Sequence, residues 1–193
     1  MFRKKIIYKI LFTVFFVLSA TVSRAQFFVL GTEVTSDVLM APALSMELVT
    51  GNKTSLSING LYCGGSWLGA LKEAQVTALQ PEFRFWFSGR PIHKWFVGAG
   101  GIGALYKITH KDKVYDGYAL GLGVTYGYVV NLTQRLNIDI HSGIGFLYYK
   151  RKEYFLHDSY DTYYAPDGQP QANAKGFYLL PTRIGVSVTY ILK

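Results

Sequence analysis

The 193-residue chain has one cysteine, four histidines and, beyond its N-terminal region, no long apolar segment. A single cysteine, Cys63, excludes a disulfide within the chain, because that bond needs two thiols. The apolar run from Ile10 to Ala20 is shorter than the roughly 20 residues that a membrane-spanning helix needs. The histidines show no metal-site spacing, and no nucleophile is paired with them. The sequence therefore predicts no metal, no cofactor and no catalytic residue.

Residues 1–25 have the features of a cleaved export signal. Basic residues precede the apolar run, and Ser23-Arg24-Ala25 places small residues where a signal peptidase reads them. We expect cleavage before Gln26 and a mature domain of residues 26–193. The leader holds five basic residues and no acidic one, so the net charge falls from +8 to +3 on cleavage. The basicity of the whole chain therefore does not indicate a nucleic-acid partner.

Aromatic residues and glycine are both abundant, with 15 Tyr, 13 Phe and 20 Gly. A soluble α/β enzyme rarely combines the two. A membrane β-barrel uses aromatic residues at its interfacial girdles and glycine where its interior is crowded. The composition therefore favours a membrane barrel.

Large and small side chains alternate along most of the chain after residue 26. Between Tyr118 and Tyr128, the even-numbered residues are large and apolar or aromatic, whereas the odd-numbered ones are Gly, Ala or Thr. A period of two indicates a β-strand with two different faces. Eight such strands are predicted, at 27–37, 42–49, 53–62, 74–88, 94–107, 116–130, 135–150 and 177–192.

The strand lengths and the links between strands predict the fold class. Several predicted strands exceed ten residues. They are long enough to cross a membrane, because a tilted strand needs about 9–11 residues for that. Outer-membrane barrels alternate short periplasmic turns with longer extracellular loops. The predicted links alternate in this way after the first one: short at 50–52, 89–93 and 131–134, longer at 63–73, 108–115 and 151–176. The prediction is an all-β, eight-stranded antiparallel up-and-down transmembrane β-barrel in the outer membrane of a Gram-negative bacterium.

Alternation alone does not say which face of the barrel is outside. In a soluble barrel the large apolar face would point inward, and the other face, rich in Gly, Ala, Ser and Thr, would make a poor surface for water. With the large face toward lipid, the small face fills a narrow, polar, glycine-rich lumen, and aromatic residues near the strand ends form girdles. We therefore expect outer-membrane lipid and lipopolysaccharide around the barrel.

Polar side chains of both charges share the inward parity. An eight-stranded barrel is just wide enough for side chains to fill it, and buried charges need partners. We expect an ion-paired network that closes the lumen instead of a conducting pore. Its predicted members are Glu33, Glu47, Glu82, Arg84, Asp139, His141 and Arg183, and Asp37 and Gln80 share their parity.

Pro81 and Pro181 fall inside predicted strands. Proline cannot donate a ladder hydrogen bond, and a closed barrel offers it no free edge. Each proline is therefore expected to mark a bulge or an irregular pairing.

Two regions carry a family resemblance. The first is Leu79 to Phe87, in which a Gln-Pro-Glu segment precedes alternating aromatic residues, and the second combines Tyr118 to Val130 with Pro181 to Val186. Through them the chain resembles a family of small eight-stranded outer-membrane barrels classed as a domain of unknown function. The resemblance implies an outer-membrane location and, for some members, a link to surface-fibre assembly. The last strand is also similar to the signal read by the barrel-assembly machinery, through Arg183, Gly185, Val188 and Tyr190.

The predicted link at 151–176 is the candidate binding surface. It combines charges with aromatic side chains, and tyrosine adds contact area at low entropic cost. Its predicted members are Arg151, Lys152, Tyr154, Tyr160, Tyr163 and Tyr164. The leading hypothesis is a non-catalytic barrel whose extracellular loops meet a surface protein partner, lipopolysaccharide or a surface fibre.

The alternative hypothesis is a lipid A-modifying outer-membrane enzyme. A deacylase of that kind places His and Ser two residues apart, so that both lie on the lipid-facing side with a carboxylate nearby. In this chain His141 and Ser142 are adjacent and point to opposite faces, and Asp139 shares the lumen face with His141. A barrel that only stabilises the membrane is a third hypothesis.

Overall fold

The computed structural model describes residues 27–65, 73–110, 113–155 and 173–192. Eight antiparallel strands follow one another around a closed barrel, and the last strand pairs with the first. The strands are β1 (Phe28–Glu33), β2 (Ala43–Val49), β3 (Thr54–Gly65), β4 (Glu73–Trp86), β5 (Lys94–His110), β6 (Lys113–Asn131), β7 (Leu136–Phe155) and β8 (Asn173–Ile191). One five-residue helix, α1 (Val34–Val38), lies within the same ranges. Helices of the length and apolar character needed to cross a membrane are absent from these ranges.

The predicted all-β class, the number of strands and their antiparallel up-and-down order are confirmed. The last four strands are longer than predicted, with 17 to 20 residues each. They continue because each keeps a paired neighbour, so that backbone N–H and C=O groups remain hydrogen-bonded. Links of 50–53, 87–93 and 132–135 gather at one end of the barrel, which we call the short-link end.

The first strand is shorter than predicted. It ends at Glu33, and residues 34–37, predicted as its continuation, form most of α1. The Asp37 carboxylate accepts hydrogen bonds from Thr32 Oγ1 at 2.5 Å and from the Ala43 amide at 3.2 Å. The prediction that Asp37 points inward from a strand is therefore wrong: it closes the connection between β1 and β2, because its carboxylate satisfies donors that a continuing strand would have paired.

A β-bulge lies beside Pro181, as predicted. Gly143 is opposite Arg183 and Ile144 is opposite Pro181, which leaves Thr182 as an additional residue in β8. Because side chains alternate with a period of two, this residue reverses the two faces for the part of β8 that precedes it.

The bulge corrects one feature of the predicted alternation. An unbroken period of two along the predicted strand at 177–192 puts Tyr178 and Leu180 on the outer face with Ile184, but they lie on the inner side. The Tyr178 ring stacks on that of Tyr149, with centroids 4.9 Å apart. At the other proline the register is unchanged, and the β4–β5 ladder lacks only the pairs that Gln80 and Pro81 would make.

Close backbone approach inside the barrel requires glycine at Gly100. A Cβ atom built there would lie 2.5 Å from the Pro81 carbonyl oxygen, so Gly100→Ala forces β4 and β5 apart. We expect a loss of about 1–3 kcal/mol in the free energy of unfolding, as for other overpacked sites. Urea unfolding of the protein in detergent measures it.

The control for this prediction is Gly103→Ala on the same strand. A Cβ atom at Gly103 would meet Leu120 at 3.5 Å, which is ordinary contact. We expect its stability to stay within about 0.5 kcal/mol of the parent. Equal effects of the two variants would contradict the close approach at Gly100.

Candidate functional site

Apolar side chains fill the lumen at the short-link end. This layer, the apolar plug, consists of Val29, Val49, Trp86, Ile92, Phe96 and Val129. The rings of Trp86 and Phe96 pack with centroids 4.9 Å apart, and Trp86 Nε1 donates to Ser55 Oγ at 2.8 Å. Ile92 belongs to the link between β4 and β5 and is nevertheless buried, so this link folds under the barrel and closes it.

Arg84 on β4 lies at the centre of a buried ion network next to the apolar plug. Its Nη1 donates to Glu47 Oε2 and to Asp139 Oδ2, both at 2.9 Å, and its Nε donates to Glu82 Oε2 at 2.8 Å. The guanidinium carbon is 4.4 Å from the centre of the Phe96 ring, which joins the network to the plug. One side chain thereby connects β2, β4 and β7 across the lumen.

Two further branches extend the network around the lumen. Arg183 Nη1 donates to Glu82 Oε2 at 2.8 Å. On the other branch, His141 places Nδ1 3.4 Å from Asp139 Oδ1 and Nε2 3.2 Å from Glu33 Oε1. The structure thus brings together all seven predicted members of the lumen network, and we call this set the ion network: Glu33, Glu47, Glu82, Arg84, Asp139, His141 and Arg183.

Two uncharged residues that sequence reasoning did not single out complete the network. Asn59 Nδ2 donates to Glu33 Oε2 at 3.2 Å, and Ser55 Oγ donates to Glu47 Oε1 at 2.5 Å. Both lie on the inward parity of β3, and that shared parity is the signal that could have found them.

Glycine leaves room for two of the carboxylates. A Cβ atom at Gly98 would lie 2.2 Å from Glu82 Oε1, and one at Gly185 would lie 2.5 Å from Glu33 Oε1. Side chains at either position would displace the carboxylate and lengthen its bonds to Arg183 or His141. The glycine-rich inner face therefore holds the charged groups in contact.

The composition of the ion network limits its chemistry. Four carboxylates meet two guanidinium groups and one imidazole, so the network has a formal excess of negative charge. Both ring nitrogens of His141 face carboxylates, an arrangement unlike a histidine that activates a hydroxyl or thiol nucleophile. Across the described ranges, no group of three or more His, Cys, Asp or Glu side chains is arranged to hold a metal ion.

Three residues of the predicted surface loop belong to a strand. Arg151, Lys152 and Tyr154 lie in β7 and pair with β6, where they face Gly117, Asp116 and Val114. The loop prediction is wrong for them, because the β6–β7 ladder continues as far as Lys113 and Phe155. Tyr160, Tyr163 and Tyr164 lie outside the described residues.

The extended end of β6 and β7 carries a small ionic cluster. Glu153 accepts hydrogen bonds from Lys113 Nζ at 2.9 Å and from Arg151 Nε at 2.8 Å. These two cations hold the pKa of the Glu153 carboxyl below its ordinary value. The Arg151 guanidinium also lies over the rings of Tyr115 and Tyr149, at 5.1 and 5.2 Å from their centres. This end therefore presents cationic and aromatic groups together.

Comparison with protein-family models gives a match over most of the chain. A family model described as "Protein of unknown function (DUF3575)" matches residues 10–192. No curated protein and no solved structure matches the chain. The match covers nearly all of the sequence, including every described strand.

Removal of the central cation tests the ion network. In Arg84→Met the buried carboxylates of Glu47, Glu82 and Asp139 lose their shared partner, and we expect the free energy of unfolding to fall by about 3–5 kcal/mol. The measurement is urea unfolding in detergent, followed by tryptophan fluorescence.

Arg135→Met is the matched control for that change. The Arg135 side chain is exposed, and its one hydrogen bond to the described residues is to the Tyr190 hydroxyl, at 3.5 Å, so the same substitution there should leave stability nearly unchanged. An Arg84→Met protein as stable as its parent would contradict the central place of Arg84.

Proposed function

The chain belongs to the DUF3575 family, and we propose that it is an integral β-barrel of the outer membrane, without catalytic activity, that has a binding or structural role at the cell surface. Membership in a family of unknown function agrees with the resemblance seen in the sequence. Location and role are proposals, and they rest on the surface of the barrel.

The observation that carries the proposal is the apolar outer face of the barrel. Large apolar side chains cover it, with Leu122 74% exposed and Phe146 67% exposed, while the charged side chains of the ion network are inside. Monomeric soluble proteins rarely expose contiguous apolar patches of more than a few hundred Å². A lipid-facing barrel needs this arrangement of apolar outside and polar inside.

Aromatic pairs bound this outer face at two levels. Trp95 and Tyr128 pack 4.8 Å apart near the short-link end, and Tyr148 packs 5.1 Å from Phe177 toward the other end. Trp and Tyr favour the interface between the membrane and water. We call the outer surface between these pairs the apolar band, and in this orientation the short-link end faces the periplasm.

We assign the surface role to the end of the barrel opposite the short-link end. The cluster of Lys113, Arg151, Glu153 and the neighbouring tyrosines lies beyond the apolar band there. Cationic and aromatic groups suit contact with anionic sugars and phosphates of lipopolysaccharide or with a surface protein partner. The family resemblance to barrels linked with surface fibres supports the same placement, and the barrel-assembly machinery would insert the chain.

The described site gives less support to the alternative hypothesis, an enzyme that modifies lipid A, than to a barrel without catalytic activity. His141 is the only histidine in the ion network, and its two nitrogens engage Glu33 and Asp139. Ser142, its neighbour, has the opposite strand parity.

Membrane extraction tests the proposed location. We expect the full chain to remain in the outer-membrane pellet after urea and carbonate washes. Leu122→Arg places a charge at the middle of the apolar band and should lower barrel stability in lipid vesicles by about 2–4 kcal/mol.

Leu132→Arg serves as the control, since Leu132 is exposed in the link at 132–135, beyond the apolar band. Its stability in vesicles should be close to that of the parent protein. Release of the parent chain into the wash, or equal tolerance of both arginines, would overturn the membrane location.

A further inference from the structure

Among the strands that the structure describes, the barrel wall has a gap on one side. The β1–β8 ladder stops at Glu33 opposite Ser187, whereas β8 continues along β7 as far as Asn173. Likewise β2 begins at Ala43, whereas β3 continues along β4 to Gly65. Beyond Glu33 and Ala43, the described strands that flank the gap are therefore β3 and β8.

The gap is wide enough for a hydrocarbon chain. Lower in the barrel, β1 and β2 lie between β8 and β3, which makes three inter-strand spacings. Where β1 and β2 are missing, the edges of β3 and β8 are therefore roughly 14 Å apart along the wall. Helix α1 occupies the base of this opening, where Thr35 Oγ1 accepts a hydrogen bond from the Val186 amide at 2.8 Å. Along β8 the opening begins beyond Ser187 and runs past Phe177, so its part between these two residues lies within the apolar band.

Apolar side chains line much of the inner surface behind the gap, beside the stacked rings of Tyr149 and Tyr178. At this level every second side chain of β3, β4, β5 and β7 still points into the barrel. The bulge at Thr182 turns apolar residues of β8 inward as well. The resulting lining, which we call the trough, consists of Leu61, Ala78, Ile102, Ala104, Leu147 and Leu180. An apolar trough above a charged layer suits a ligand with one polar end and one apolar end.

The floor of the trough offers hydrogen-bonding groups. A cavity of about 310 Å³ lies there, lined by side chains that include Glu33, Asn59, Leu61, Gln80 and Arg183. Arg183 also lines an adjoining cavity of about 30 Å³ together with Glu82. Arg183 Nε and Glu82 Oε1 are buried, and neither has a hydrogen-bond partner within the described part of the chain.

We propose that the trough binds a neutral single-chain amphiphile, of the monoacylglycerol class, that enters from the lipid through the gap between β3 and β8. Its hydroxyl groups bind at the floor beside Arg183, Asn59 and Gln80, and its acyl chain lies along Leu147 and Leu180. This inference rests on the proposed function, because the gap opens onto lipid only if the barrel stands in a membrane.

The charge of the floor selects a neutral head group. The ion network already holds four carboxylates against two guanidinium groups and one imidazole. An additional buried anion would be repelled by Glu33 and Glu82, and its desolvation would be unfavourable. A hydroxyl group both donates and accepts, so it can serve Arg183 Nε and a carboxylate oxygen together.

Photolabelling tests the proposal directly. The full chain is placed in lipid nanodiscs with a monoacylglycerol that carries a diazirine in its acyl chain, and labelled residues are mapped by mass spectrometry. We expect label at the inward residues Leu147 and Leu180 as well as at the outward residues Phe146 and Leu179. Excess monoolein should remove the inward label and spare the outward label, whereas oleate should compete poorly.

The other outcomes are separable. Label on outward residues only would overturn the amphiphile site, including the case in which another part of this chain fills the trough, while the membrane location would stand. Absence of label from the outward residues would overturn the proposed function together with this inference. Equal competition by oleate would overturn the neutral head group.

A matched pair of variants adds a steric test. Leu180→Trp fills the trough, and it should abolish the monoolein-sensitive label at Leu147. Leu179→Trp places the same ring on the outer face of the adjacent position and should leave that label unchanged. Both variants are checked for folding by the heat-dependent shift of the barrel on a gel, and equal labelling of Leu147 in two folded variants would contradict the proposal.

Discussion

The contact of one guanidinium group with three buried carboxylates is the interaction on which the barrel interior depends. Arg84 reaches Glu47, Glu82 and Asp139 from the centre of the lumen, so three strands share a single cation. Buried ions are tolerated only when such partners satisfy them. The lumen must therefore be narrow at this level, and glycine at Gly98 and Gly185 is what allows the backbone to approach the carboxylates.

The rest of the interior is layered around that contact. Below it, the apolar plug packs against Arg84 through Phe96 and closes the short-link end. Above it, the bulge at Thr182 exchanges the faces of β8, so that Leu180 and Tyr178 lie on the inner wall instead of Leu179 and Phe177. Within the described residues, the early end of β1 leaves the same side of the barrel wall unpaired. Among the described strands, the bulge in β8 thus sets which side chains line the trough, and the short β1 leaves its side open.

Much of this interior could be predicted because strand parity is a local property. Along an unbroken strand, one inward residue fixes every second neighbour, which is why residues as distant in sequence as Glu33 and Arg183 could be assigned to one lumen. The prediction failed where the period changes. The sequence around Val34 alternates like a strand, but a helical turn forms there, where Asp37 accepts a hydrogen bond from Thr32 and Thr35 accepts one from the Val186 amide. Pro181 signalled a bulge, yet not which residue would be inserted, so Tyr178 and Leu180 were placed on the wrong face.

The most direct test of the proposed membrane location is a cysteine scan along β6, made in a Cys63→Ser background so that each variant has one thiol. Spin labels at positions 119 to 124 are compared for collision with oxygen, which concentrates in lipid, and with a water-soluble nickel complex. We expect high oxygen accessibility at Leu120, Leu122 and Val124 and low accessibility to both reagents at the odd positions. Accessibility of the even positions to the nickel complex would show that the apolar band faces water, and it would contradict an outer-membrane barrel.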